Sequence, residues 1–291
     1  MEATKINALI ALLDDPDENI FLDVKGQLEQ MGTTAIPFLE SAWEKSGLGV
    51  VFQGRIEELI HQIQFEALYD KLSLWKEGGC MDLIEGWILI SHYLYPDLDE
   101  DAIREELEKI KQDIWIELND GLTALEKVKV MNHILFDVHG FSGNTKNYHS
   151  PSNSFINIVL EGKKGNPISL SIIYMHLAQS LDLPIYGVNL PRHFILCYLD
   201  YSGMMKSFDH LDRDDMMFYI NPFGKGSIFS NKEITQFVKE LELEDLPMFY
   251  LPCNSQSIAT RILNNLHHSY QQLGEQEKEE EMKRLLDLLA A

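Results

Sequence analysis

The sequence predicts an α+β fold in three parts: a mostly helical N-terminal region over residues 1–125, a core over residues 126–235 with a small antiparallel sheet, and a helical hairpin over residues 236–291. Three observations predict it. From residue 6 to about residue 137, apolar residues recur at helical spacing, as in Ile6, Leu9, Ile10 and Leu13, or Ile56, Leu59, Ile60 and Ile63. Two runs rich in strand formers, 185–190 and 193–200, lie on either side of Pro191 and Arg192 and read as an antiparallel pair. Two amphipathic stretches, 255–273 and 277–289, meet at Gly274.

The breaks between helices fall on residues that stop or start them. Asp14-Asp15-Pro16 separates the first two, Gly32 to Thr34 precedes the third, and Gly47 to Gly49 and Gly78-Gly79 mark further breaks. Pro96 closes the stretch holding Trp87 to Tyr93, and Asp97 or Asp99 caps the next helix. The opening helices suggest a hairpin, without the fixed period that a solenoid requires. Residues 137–153 carry Gly140, Gly143, Asn144, Asn147 and Pro151 with Phe141 and Tyr148, the composition of a polar, site-forming loop. A short amphipathic segment, 155–160, leads to a turn at 162–165, and Pro167 opens a helix to about Leu181. Short strands are expected at 205–209 and 218–220.

Composition narrows the function. The chain has 291 residues, 45% hydrophobic and 24% charged, which is ordinary globular usage with ample material for a core. Twenty-four Lys and Arg against 46 Asp and Glu leave a formal charge of −22, a field that repels nucleic acid and anionic membrane surfaces. No stretch approaches the roughly 18 apolar residues of a membrane span, and the acidic start carries no leader pattern, so a cytoplasmic protein is expected. Cys80, Cys197 and Cys253 are odd in number and lack paired spacing, so neither a disulfide framework nor a structural zinc site is expected. The ten histidines include no ligand spacing, and no cofactor motif is present.

One stretch carries a recognisable pattern: KGNPISLSIIYMHLAQSLDLPIYGVNLPRHFILCYLD, followed by YINPFGKG and preceded by YHSPSNSFINIVLEGKKG. It resembles the SirB-type, transglutaminase-like family, and LLDDPDENIF and TRILNNLHHSY resemble that family's flanking helices. The resemblance implies a papain-related core with a nucleophilic Cys in the first turn of the core helix, a His on the next strand and an Asp or Asn on the one after. Such a helix start favours thiolate through its unpaired N–H groups, and the His serves as base. Carried onto this chain, the His position falls on His193 and the third position on Asn221, while Gly165 points to Pro167 as the occupant of the nucleophile position. Proline offers no atom that can attack.

The resemblance therefore implies a catalytically silent protein that binds a protein or peptide partner and regulates it. Tyr148, Asn153, Ser154 and Ser169 join His193 and Asn221 as residues of a cleft, against a simpler reading in which Asn153 or Ser154 caps a first helical turn and Ser169 bonds backbone groups. The alternative is a hydrolase or amidase in which His193 works with a relocated Ser or Cys. Cys80 and Cys253 stand near helix starts but read more simply as buried thiols, and Asn264 to Tyr270 resembles half of a single tetratricopeptide unit.

Overall fold

The computed structural model describes residues 2–44 and 49–291. The expected break at Gly47 lies outside the described residues. Contacts divide the chain into two compact units, Met1–Leu74 with His92–Pro96, and Trp75–Ser91 with Asp97–Ala291.

The first unit contains α1 (Glu2–Leu12), α2 (Glu18–Met31), α3 (Ile36–Trp43) and most of α4 (Val50–Glu77). Asp17 caps α2 by accepting the Asn19 N–H, and Pro37 sits in the first turn of α3, where its missing donor costs nothing. Of the periodic residues singled out above, Ile6, Leu9, Ile10, Leu13, Ile56, Leu59 and Ile63 are buried together with Leu28 and Leu39, and Ile60 packs partly buried against them.

The second unit holds the remaining helices and all strands. Its helices are α5 (Leu83–His92, whose last residue falls in the first unit), α6 (Glu100–Glu117), α7 (Ala124–Asn132), α8 (Ile156–Gly162), α9 (Pro167–Gln179), α10 (Tyr201–Met204), α11 (Asn231–Glu240), α12 (Ser255–Leu273) and α13 (Gln276–Ala290). Asp99 caps α6, as one of the two expected candidates. β1 (Ser142–Gly143) and β2 (Lys164–Gly165) pair in parallel, while β3 (Ile185–Val188), β4 (Ile195–Leu199), β5 (Met216–Asn221) and β6 (Ser227–Phe229) form an antiparallel sheet in chain order. The α+β prediction holds, with its helical hairpin: α12 ends on Gly274 in the left-handed conformation that glycine adopts without strain.

Two local expectations are corrected. No strand forms at 205–209, because Asp200 caps α10 through Gly203 N–H and Lys206 closes onto Asp215, so local side-chain bonds compete with a ladder. The strand expected from residue 193 begins only at Ile195, after Arg192 turns the chain with φ of 62°. The amphipathic segment expected at 155–160 forms α8 after its N-cap Phe155, with Ile156, Val159 and Leu160 in the core. Trp87, fully buried on α5, donates to the Ser154 carbonyl at 2.7 Å, and Ser91 Oγ accepts the Ile156 N–H at 3.0 Å. These bonds hold the 150s turn that approaches the start of α9.

Candidate functional site

The start of α9 is closed by its own side chains. Asn166 is the N-cap; its Oδ1 accepts the Ser169 N–H at 2.9 Å, and Ser169 Oγ accepts the Asn166 N–H at 2.9 Å while donating to the Asn166 carbonyl at 3.1 Å. This reciprocal box consumes donors that a helix start otherwise offers to an anion. Pro167 occupies the first helical position and contributes no N–H. Gly165 is required here, because a Cβ would overlap Ser169 Oγ and press on Leu170. Ser169 therefore does what its simpler reading expects, with its hydroxyl committed as both donor and acceptor.

Around this helix start lies a small cleft of about 60 Å³ lined by Tyr148, His149, Ser154, Pro167, Asn265 and His268, among others. Asn166 Nδ2 reaches Ser154 Oγ at 3.3 Å. The Tyr148 ring meets those of His149 and Phe223 edge-on, and the His149 and His268 rings lie 6.2 Å apart. Asn153 is buried behind the cleft and pins the loop: its Nδ2 donates to the carbonyls of Asn147 and Tyr148, and its Oδ1 accepts from Asn144. Neither Asn153 nor Ser154 caps α8, whose N-cap is Phe155.

His193 and Asn221 line a different cavity, of about 450 Å³, with Leu190, Ile195, Phe229 and Phe237. The His193 ring meets Phe237 of α11 edge-on at 5.1 Å, and on β4 Ile195, Cys197 and Leu199 pack with Ile234 and Val238 of the same helix. Burial and then the Arg261 guanidinium hold the His193 imidazole below its ordinary value, favouring the neutral ring. Among the described residues no hydroxyl or thiol is hydrogen-bonded to it. Asn221 Oδ1 accepts the Gly224 N–H at 3.3 Å, an assignment to its own turn.

Of the six residues expected in one cleft, Tyr148 and Ser154 line the polar one, His193 and Asn221 the larger one, and Asn153 and Ser169 are buried supports. Sequence reasoning misses His268 and Asn265, and leaves His149 to the surface. A signal for them exists in α12, where Arg261, Asn265 and His268 recur at helical spacing and so share a face.

The cysteines are set for packing. Burial raises the Cys197 thiol far above its ordinary value, and that of Cys253 to about 12, while Cys253 Sγ donates to the Gly187 carbonyl at 3.2 Å. Cys80, buried with φ of 54°, precedes α5 by three residues and is also raised. Among the described residues, no group of three or more His, Cys, Asp or Glu could hold a metal ion, and no helix is long and apolar enough to cross a membrane.

Comparison with known proteins gives this architecture a lineage. A UPF0162 protein of Xylella fastidiosa (strain 9a5c) is 30% identical over 210 residues, 68% of this chain and 70% of that protein, and one of Vibrio cholerae is 27% identical over 155 residues, 53% of each. F-box only protein 21 of Homo sapiens is 31% identical over 138 residues, 47% of this chain and 20% of that protein. No solved structure matches the chain. The family profile described as Transglutaminase-like superfamily matches residues 101–264, more than half of the chain, so the protein belongs to the transglutaminase-like superfamily and has UPF0162 homologues.

Proposed function

We propose that this chain is a SirB-type, catalytically silent member of its superfamily, a cytoplasmic regulatory module that binds a protein or peptide partner. The observation that carries the reading is the start of α9: Pro167 stands where the resemblance expects sulfur, and the Asn166–Ser169 box engages the neighbouring donors and hydroxyl. Loss of an attacking group of this kind removes orders of magnitude in rate while leaving the fold intact. The surface Tyr148, His149 and α12 present around that helix start then serves contact rather than turnover. A match confined to one fifth of F-box only protein 21 supports modular use of such a region within a longer chain.

The competing reading, a hydrolase or amidase with a relocated nucleophile, needs a hydroxyl or thiol against His193. Ser169 is committed to its cap, and Cys197 and Cys253 are held in the thiol form by burial. The deciding measurement is ammonia release from glutamine peptides, with and without an amine acceptor, alongside a peptide-cleavage assay. The expected result is no rate above buffer; turnover that His193→Ala abolishes overturns the silent reading. Affinity capture with the wild-type chain and His193→Ala, read by mass spectrometry, then tests for the partner.

A further inference from the structure

We infer that the polar cleft at the start of α9 is a phosphoryl-binding site, in which Ser154, Asn265, His268 and Ser269 donate to the oxygens of a phosphate group carried by a phosphorylated side chain of the partner. The inference deepens the binding reading and rests on it.

The first support is a set of donors with nothing to bond. Ser269 is 7% exposed and lines the cleft, and its hydroxyl makes no hydrogen bond among the described residues. Ser154 is 2% exposed; its Oγ accepts from Asn166 Nδ2 at 3.3 Å, which leaves its own proton without an acceptor among the described residues. The half-buried Asn265 amide likewise makes no hydrogen bond there. The Gln272 amide nitrogen donates to His268 Nε2 at 2.9 Å, so the neutral His268 ring carries its proton on Nδ1, a further donor. Leaving a buried polar group unpaired costs more than an ordinary hydrogen bond gains, so these hydroxyls call for a partner that the chain itself does not supply.

The second support is their placement. Asn265, His268 and Ser269 stand three and four residues apart on α12 and so share a face, and α12 packs against the 151–154 turn that carries Ser154. Asn166 and Pro167 line the same cleft, so the positive end of the α9 dipole lies there even with the Ser169 N–H engaged by the cap. In a chain with 46 Asp and Glu, no carboxylate lines this cleft among the described residues, and charges elsewhere are largely screened beyond about 8 Å at physiological salt. The volume of about 60 Å³ is roughly two waters' share of liquid, room for one compact head group and too little for a drug-sized ligand. No guanidinium lines it, so the planar fork that suits a carboxylate is missing. Single donors arriving from two elements suit the three oxygens of a phosphoryl group instead.

The test is calorimetric titration of the full chain, at fixed ionic strength, with N-acetyl-phosphoserine amide, N-acetyl-serine amide, inorganic phosphate and acetate. The phosphorylated compound is expected to bind saturably, and the serine amide and acetate not to bind. Ser269→Ala should weaken that binding roughly ten-fold, as for loss of one charge-assisted hydrogen bond, without lowering the melting temperature, because its hydroxyl has no protein partner among the described residues to lose. Asn265→Asp, which adds a negative charge at nearly constant shape, should abolish binding while the chain stays folded. No saturable binding of either phosphate compound, equal affinity for acetate, or unchanged affinity in both variants overturns the proposal. Tighter binding of N-acetyl-phosphoserine amide than of inorganic phosphate supports a phosphorylated partner; binding of inorganic phosphate alone overturns that source and leaves a free anion in its place. Amide turnover by the wild-type chain would sink the silent reading without touching phosphate affinity, so the two failures are distinguishable.

Discussion

The cleft at the start of α9 and the cavity beside α11 hold apart residues that the resemblance expects in one place. The cleft, about 60 Å³, is polar and ringed by Tyr148, His149, Asn265 and His268; the cavity, about 450 Å³, is walled by Phe229, Ile234 and Phe237 and holds His193. One has the helix start without a nucleophile. The other has the imidazole without a proton donor to activate. If His193 and Asn221 hold the positions that the resemblance implies, the difference teaches that such residues can stay in a sequence while their side chains serve turns and cavity walls.

Gly165→Ala is the strongest way to disturb one side of this comparison alone. Its Cβ would overlap Ser169 Oγ and crowd Leu170, with an expected cost of about 3 kcal/mol in chemical denaturation. Ser169→Ala leaves the buried Asn166 N–H without its acceptor and should cost about 1.5 kcal/mol. If it costs nothing, the closed helix start is not a stabilising feature. On the other side, Phe237→Ala removes the ring beside His193 and should cost about 1 kcal/mol at this half-buried position, while weakening any apolar ligand of the cavity.

Acid sensitivity sharpens the picture through His176, on the opposite end of α9 from the cleft. Burial holds its imidazole below the ordinary 6.5 against the pull of Asp82, so the unfolded chain binds a proton that the native chain refuses. Stability should therefore fall as pH drops below about 6.5, and His176→Gln should make the melting temperature less dependent on pH between 6.5 and 5. An unchanged slope would show that other groups carry the acid limb. The smallest expected effect is that of Pro167→Cys: sulfur alone should give no measurable amide turnover, because His193 faces Phe237 rather than the cleft. Turnover that depends on His193 would join the two cavities and end the comparison.

Much of this was legible in the chain where chemistry is local. Pro167 at a first helical turn, the ends of α12 at Ser255 and Gly274, the antiparallel pairing of β3 with β4, and the backbone role of Ser169 follow from propensity and capping. What escaped depends on tertiary choice. Alternation on a strand cannot tell which face meets α9 and which meets α11, so the direction of His193 was hidden until Arg192 was seen in a left-handed turn and Ile195 in the α11 cluster. The absent strand at 205–209 was lost to the ion pair of Lys206 with Asp215, a contact nine residues apart that pattern reading does not weigh.

The reciprocal bonds between Asn166 and Ser169 also decide what kind of chemical tool can reach this protein. Electrophilic warheads built for sulfur at a helix start find there a ring carbon and an occupied hydroxyl. Molecules that engage this scaffold at that point must do so by reversible fit, competing for surface rather than forming a bond.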